Sequence, residues 1–300
     1  MKHGLLGRQH LKPTIKGRLL TPWENLRVWE ERKTTQLRPP LPVAIWCVMV
    51  GLARGHGLAT SNLTRKFEWL CLASLLEIGF LCLLRPGELL KLKHSDFSFP
   101  GSFTNSHSHA SIRVAARKNR RQFGEQQFVT LGNPSAIEWL RLLCCESSEE
   151  QLWPSKPHRF VRLFKQLLKE LQVDCYGFVP ASLRPGGATM LYGCGIPIST
   201  LRFIGRWTVE KSLEHYIQQA TATQILNRLS EKSIRRLSSV AAVCLVLAPA
   251  PKCRGNLAFL SQDISSDGPS IISWCNSYAQ LVGEAGKEKG GGWAPQRGHL

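Results

Sequence analysis

The stretch FEWLCLASLLEIGFLCLLRPGELL, residues 67–90, decides the fold. Its first part, Phe67–Leu84, is apolar on nearly every helical face, which predicts a helix buried inside a protein. Its few polar residues, including Glu68 and Glu77, argue against a membrane span. The segment Arg85-Pro86-Gly87-Glu88 ends that helix, because proline suits the first turn of a new one. We therefore expect a helical core with an arginine placed where two helices meet.

Outward from this stretch, apolar residues recur at helical spacing on both sides. Upstream the pattern covers Leu41–Leu58, and downstream it covers residues 135–145, 159–171, 185–192, 198–204, 209–217 and 222–237. Alternation typical of strands appears only at 112–114 and 127–131. The predicted fold class is mostly α with a small antiparallel β-sheet (α+β). The amphipathic segment 222–237 either packs in its own molecule or docks on a neighbouring one.

Composition divides the chain into three parts. Residues 1–40 are basic and broken by prolines, so they predict an N-terminal arm with at most a short helix near 24–34. Residues 41–238 carry the helical and strand patterns and form the predicted main domain. Residues 239–300 are mixed and end in a Gly/Lys-rich run, which we treat as a tail of unknown role.

The charge balance points to a polyanionic partner. The chain has 300 residues, with 39 Lys+Arg against 21 Asp+Glu and a net charge of +18. Because basic residues also lie in the middle of the main domain, nucleic acid is favoured over a membrane surface. The N-terminus shows no secretory signal, so an intracellular location is expected. Ten cysteines without a C-x-x-C pair predict neither a metal site nor a disulfide framework, and no cofactor is expected.

Two basic features precede the middle of the chain. Arg85 at a helix start, with Glu88 three residues on, suits a phosphate, because a guanidinium fork matches two phosphate oxygens. The alternative is an ordinary Arg–Glu ion pair. Lys118 lies in a predicted hairpin tip, where a lysine contacts phosphates or delivers a proton to a leaving oxygen. Its neighbours Arg117, Arg120 and Arg121 are candidate DNA-binding residues. The alternative is a solvated charge run.

Two further features follow in the second half. Ser182-Leu183-Arg184-Pro185-Gly186-Gly187-Ala188-Thr189 again places an arginine directly before Pro-Gly. Gly205-Arg206-Trp207 comes next, followed by Tyr216. A tryptophan offers one fixed N–H donor, and a tyrosine supplies an oxygen nucleophile if positive charge lies nearby. We expect Arg206 to bind DNA. The alternative is a core tryptophan and a surface tyrosine.

In this order, the four features resemble the tyrosine recombinases, or phage integrases. Trp207 follows Arg184 by 23 positions and Tyr216 follows Trp207 by nine, and both gaps match the family pattern. The sequence around both arginines looks most like that of integrases of eukaryotic mobile elements. The resemblance covers about residues 40–235 and implies a tyrosine recombinase-like catalytic domain over 41–238.

The resemblance also implies roles for single residues. Arg85 and Arg184 would grip the scissile phosphate, and Glu88 would hold Arg85. Lys118 would protonate the departing 5′ oxygen. Trp207 stands where the family has His or Trp, and Tyr216 would form a 3′-phosphotyrosyl bond. The implied partner is double-stranded DNA, bound by a homo-tetramer without metal or cofactor, in the nucleus if the source is eukaryotic.

Two departures from the family pattern keep alternatives open. The family usually has His or Lys three residues before the second arginine, where this chain has Ala181. The family also usually carries a separate DNA-clamping helical domain, which residues 1–40 are too short to form. A catalytically degenerate DNA-binding protein on the same scaffold is therefore the main alternative. A type IB topoisomerase, which uses similar chemistry on one duplex, is a third.

Overall fold

A computed structural model describes residues 2–15, 18–32, 38–101, 109–115, 126–146, 151–208 and 210–247. The chain divides into two compact units, residues 1–37 and residues 38–300. The first unit contains helices α1 (Lys2–Leu11) and α2 (Leu20–Arg32), which contact each other. This part of the chain is more helical than the predicted arm, because proline is confined to turns and first helical turns, where it is tolerated.

The second unit is mostly helical. Its helices are α3 (Val43–Ala59), α4 (Leu63–Leu81), α5 (Pro86–Leu89), α6 (Pro134–Glu146), α7 (Pro157–Glu170), α8 (Leu183–Gly193), α9 (Ile198–Ile204), α10 (Glu210–Glu214), α11 (Gln219–Asn227) and α12 (Glu231–Leu247). The predicted fold class, mostly α with a small antiparallel sheet, is confirmed. In the described part of the chain, no helix combines the length and apolar character that crossing a bilayer requires.

The centre of this unit is α4, which is buried along most of its length as predicted. It packs against α3, α6, α7 and α8. Trp46 on α3 stacks on Phe80 with ring centroids 4.2 Å apart, and its indole N–H donates to the Leu76 carbonyl over 3.0 Å. A charged pair inside this contact, Arg54–Glu77 at 2.6 Å, satisfies the carboxylate that interrupts the apolar run.

A three-stranded antiparallel sheet follows α5, in the order β1 (Phe97–Ser98), β2 (Ala110–Ala115) and β3 (Gln126–Leu131). The two predicted strands are β2 and β3, which pair with Ala110 opposite Leu131 and Val114 opposite Gln127. The short strand β1 was not predicted, since two residues carry no measurable alternation. Residues 116–125 between β2 and β3 lie outside the described residues.

The predicted amphipathic segment 222–237 is two helices, because the chain leaves helical geometry between Asn227 and Glu231. The second of them, α12, packs on α3 of the same molecule. The Ser233 hydroxyl donates to the Gln172 carbonyl over 2.8 Å, and Leu237 is buried. Helix α12 also continues to Leu247, beyond the predicted start of the tail at 239.

Candidate active site

The second Arg-Pro-Gly segment opens α8 at a backbone-to-backbone contact. A Cβ on Gly187 would lie within 1.9 Å of the Phe80 carbonyl oxygen, and one on Gly186 would lie 2.3 Å from the Leu41 carbonyl oxygen. Only glycine permits this approach. The two glycines therefore bring the start of α8, and with it Arg184, against the end of α4.

Arg184 is held by backbone carbonyls and is only 2% exposed. One terminal nitrogen donates to the Leu83 carbonyl over 2.9 Å and the other to the Gly205 carbonyl. Leu83 has a left-handed φ of 54°, an uncommon conformation for leucine, just after α4 ends. The Arg184 Nε, also buried, has no hydrogen-bond partner among the described residues.

Two aromatic rings lie against the Arg184 guanidinium. Its Cζ is 4.4 Å from the centroid of the Trp207 ring and 5.5 Å from that of Tyr216, and the two rings are 5.1 Å apart. Gly205 makes room for the indole, because a Cβ there would lie 1.7 Å from it. The Trp207 indole N–H is buried and, in the described part of the chain, has no acceptor. Arginine, tryptophan and tyrosine thus form one cluster, in which the two rings are tilted by 55° to each other.

Tyr216 is held by its backbone, which leaves its side chain partly exposed. Its carbonyl accepts a hydrogen bond from the Thr189 hydroxyl on α8 over 3.1 Å. The same hydroxyl oxygen accepts the Gln218 backbone N–H over 3.0 Å. Thr189 therefore ties the segment after α10 to the helix that carries Arg184.

The first Arg-Pro-Gly segment forms a separate polar cluster around Glu88. Arg85 donates twice to this carboxylate, from its side chain to Oε1 over 2.9 Å and from its backbone N–H to Oε2 over 2.8 Å. Arg206 donates to Oε2 over 2.8 Å. The Arg85 side chain is 31% exposed, whereas that of Arg206 is 7% exposed.

These groups form a strongly positive site. Burial, together with the charges of Arg85 and Arg206, lowers the pKa of Arg184 to about 9, although the charge of Glu88 opposes this shift. Arg184 still carries its proton at neutral pH. Burial alone would raise the pKa of Glu88, but the Arg206 and Arg85 charges and the Arg85 backbone N–H lower it below 4.5. Arg85 and Arg206 pair with the single carboxylate of Glu88, and Arg184 adds a third positive charge nearby, an arrangement that favours an anion.

The structure thus brings together Arg85, Glu88, Arg184, Trp207 and Tyr216 from the predicted site. Arg206, which we predicted to bind DNA, lies in the interior and pairs with Glu88. Lys118, Arg117, Arg120 and Arg121 lie outside the described residues. Ala181 lies in a short 3-10 turn, Pro180–Ser182, directly before α8.

Several contributing groups were missed by the sequence interpretation. The Leu83 and Gly205 carbonyls carry no side-chain signal at all. Gln127 on β3 accepts from Arg206 over 3.4 Å, although strand alternation alone marks it only as a strand residue. Thr189 lies inside the quoted motif, five residues after Arg184, and this position was the available hint. No cluster of metal-ligating side chains occurs among the described residues.

Comparisons with known proteins add the following findings. No family model matches the sequence, and no curated protein matches it. Among solved structures, a post-cleavage complex of the XerH site-specific recombinase bound to palindromic difH aligns with a TM-score of 0.46 at 14% identity, over 64% of this chain and 52% of that one. A pre-cleavage complex of XerH with difH aligns with a TM-score of 0.46 at 13% identity, over 62% and 52%. This chain therefore spans about half the length of those recombinase chains.

Proposed function

We propose that this protein cleaves and rejoins double-stranded DNA through a covalent bond between Tyr216 and a 3′ phosphate. The observation that carries the proposal is the packing of the Tyr216 and Trp207 rings against Arg184, beside Arg85. These residues come from distant parts of the sequence, yet they occupy one small region. Their order and spacing along the chain match the motifs of tyrosine recombinases.

In the proposed cleavage step the Tyr216 oxygen attacks the phosphorus of a phosphodiester. A bond forms between that oxygen and phosphorus, and the bond from phosphorus to the 5′ oxygen breaks. The tyrosine gives up one proton and the departing 5′ oxygen takes up one, so the step is balanced. Rejoining is the reverse attack by a 5′ hydroxyl, which needs neither ATP nor metal because the phosphotyrosyl bond keeps the phosphodiester energy.

The arginines would supply electrostatic stabilisation. Negative charge develops on the non-bridging oxygens as the tyrosine attacks, and fixed cations in a site shielded from water stabilise it. Arg85, whose side chain is partly exposed, is the proposed first contact with the phosphate. Arg184 is the proposed second contact, through N–H groups that its carbonyl partners leave free. Lys118 is the proposed proton donor to the 5′ oxygen.

A DNA-binding protein without cleavage activity is the second candidate, and two observations favour it. Ala181 stands where the family has a residue able to transfer a proton, and such help contributes roughly 10²–10⁴-fold in rate. Arg184 is also only 2% exposed, with the Trp207 and Tyr216 rings against it, so a phosphate reaches it only if neighbouring groups move. This candidate predicts salt-dependent DNA binding, because phosphate contacts release counterions.

The setting of the reaction is part of the same proposal. Recombination between two duplexes requires four active sites, so a homo-tetramer on DNA is the proposed working form. A type IB topoisomerase would act on one duplex as a monomer. The proposed location is inside the cell with DNA, and in the nucleus if the element that encodes the protein is eukaryotic.

The experiment is a search for a covalent adduct that survives SDS. The protein is incubated with a pool of randomised duplexes, and the wild type is compared with Tyr216→Phe. Tyr192→Phe is a matched control, because Tyr192 is an exposed tyrosine on α8 that is not part of the Arg184–Trp207–Tyr216 cluster. An adduct present in the wild type and control but absent in Tyr216→Phe supports the proposal. DNA retention with no adduct supports the second candidate, and an adduct in all three proteins contradicts the assignment of Tyr216.

A further inference from the structure

Arg206 occupies a position unlike that of a DNA-contacting arginine. Arg206 is 6% exposed, and its backbone has a left-handed φ of 57°. One terminal nitrogen donates to Glu88 Oε2 over 2.8 Å, and the other donates to Gln127 Oε1 over 3.4 Å. Both ends of its guanidinium fork are therefore directed at protein groups, one on α5 and one on β3.

The Glu88 carboxylate is fixed from two sides. Its Oε1 accepts the Arg85 side chain, while its Oε2 accepts both the Arg85 backbone N–H and Arg206. A carboxylate held at one oxygen alone could swing about its side-chain bonds. Arg206 strengthens the hold on Oε2, because it adds a charged donor to the Arg85 backbone N–H and comes from outside the Arg85 segment. The Arg85 guanidinium then has a more firmly fixed acceptor.

We propose that Arg206 is a positioning residue that holds Glu88 so that the partly exposed guanidinium of Arg85 points in one direction. The inference rests on the proposed function, in which Arg85 is the first contact with the phosphate. Arg206 itself touches no DNA in this proposal. Its role is to act on Arg85 through the shared carboxylate.

The burial of Arg206 argues for orientation and against stabilisation as its role. Placing a guanidinium and a carboxylate in the interior has a large desolvation cost. Well-packed apolar residues of similar volume often stabilise a fold as much as a buried ion pair does. A charged pair gives direction, because its hydrogen bonds fix the angle of both groups. Glu88 also has two cationic partners that come from different parts of the chain, Arg85 and Arg206.

Gln127 extends the arrangement to the sheet. It lies opposite Val114 in the β2–β3 ladder, is buried, and accepts from Arg206. Its amide nitrogen has no partner in the described segments. Gln127 thus limits the side-chain motion of Arg206 from the sheet side while Glu88 limits it from the helix side.

The first test needs no DNA and no catalysis. NMR of arginine labelled with ¹⁵N reports rotation of the Arg85 guanidinium about its Nε–Cζ bond in the free protein. We expect Arg206→Gln to speed this rotation at least several-fold, and Arg206→Lys to restore part of the restraint because an ammonium still reaches Glu88. Arg113→Gln is the matched control, since it removes another arginine–carboxylate pair, with Asp96 at 2.8 Å, away from Glu88. Unchanged Arg85 rotation in folded Arg206→Gln would overturn the proposal.

The second test is a double-mutant cycle. It measures the rate of covalent adduct formation with the duplex recovered from the randomised pool. We expect Arg206→Gln to slow adduct formation about 10- to 100-fold, as displacement of a reacting group by about 1 Å does. The double variant with Arg85→Ala should be no slower than Arg85→Ala alone. Losses that multiply would instead mean that Arg206 contacts DNA itself, which contradicts the proposal. If the wild type forms no adduct, the proposed function fails, and the NMR result still decides the positioning role.

Discussion

The two Arg-Pro-Gly segments share a sequence but differ in almost every physical respect. Arg85 precedes the four-residue helix α5, is partly exposed and pairs with Glu88. Arg184 is the second residue of the longer helix α8, is buried, and binds two backbone carbonyls. Gly87 has open space around it, whereas Gly187 abuts the Phe80 carbonyl. The same letters therefore describe a side chain presented to solvent in one case and one built into the core in the other.

This difference shows what the repeated motif has in common. Pro-Gly lies in the first turn of a helix in both segments, and local chemistry explains this much. What each arginine contacts depends on the surrounding fold. The Arg85 side chain can adapt to a ligand, while Arg184 is held in place before any ligand arrives, so the two contribute differently to a shared site.

The largest predicted effect concerns the position three residues before each arginine. That position is Ala181 in the second segment and the buried Cys82 in the first. If Ala181 limits the proposed cleavage, Ala181→His should speed adduct formation, toward the roughly 10²–10⁴-fold that acid–base help contributes. Ala181→Gln is the control, because glutamine is polar but does not titrate. Equal rates for both variants and the wild type would show that proton transfer at this position is not limiting.

The glycines give the largest predicted difference in stability. Gly187→Ala forces a methyl group against a backbone oxygen, and overpacking of this kind costs about 3 kcal/mol or more in free energy of unfolding. Gly87→Ala meets no atom within 4 Å and should leave stability unchanged or raise it by up to about 1 kcal/mol, because alanine favours helix. Urea denaturation of both variants measures the difference. Equal effects would contradict the close contact between α8 and α4.

Substitution of the two arginines should also affect stability unequally, with the larger loss in the second segment. Arg184→Met removes two hydrogen bonds from a charged donor to buried carbonyls, which should cost about 2–4 kcal/mol in free energy of unfolding. Arg85→Met should cost less than about 1 kcal/mol, because ion pairs near the surface contribute little. Both variants should lose adduct formation if both arginines contact the phosphate. A stable Arg184→Met protein would mean that the carbonyl contacts are not needed for the fold.

The sequence predicted what short-range chemistry controls. The buried helix that became α4, the helix start at Pro86, both longer strands and the mostly α class with a small sheet follow from apolar periodicity and proline. The break near Arg228 inside the predicted helix 222–237 could not be predicted in this way, because amphipathic spacing continues across it. The burial of Arg206 could not be predicted either, since the local sequence around an arginine does not show whether it contacts solvent or a carboxylate distant in sequence.

The smallest predicted effect is in the pH dependence of stability, and it belongs to the first segment alone. The folded-state pKa of Glu88 lies below 4.5 despite burial, owing to Arg206 and Arg85. A carboxyl with a lowered pKa stabilises the fold above its unfolded value, and this contribution is lost as the pH falls through the folded value. The difference in unfolding free energy between the wild type and Glu88→Gln should therefore shrink below pH 4.5. Arg184 has no carboxylate among its hydrogen-bond partners in the described residues, so the cost of Arg184→Met should stay nearly constant over the same range. If the cost of Arg184→Met falls with pH as steeply as that of Glu88→Gln, the two segments are coupled through Glu88 more strongly than their separate contacts indicate.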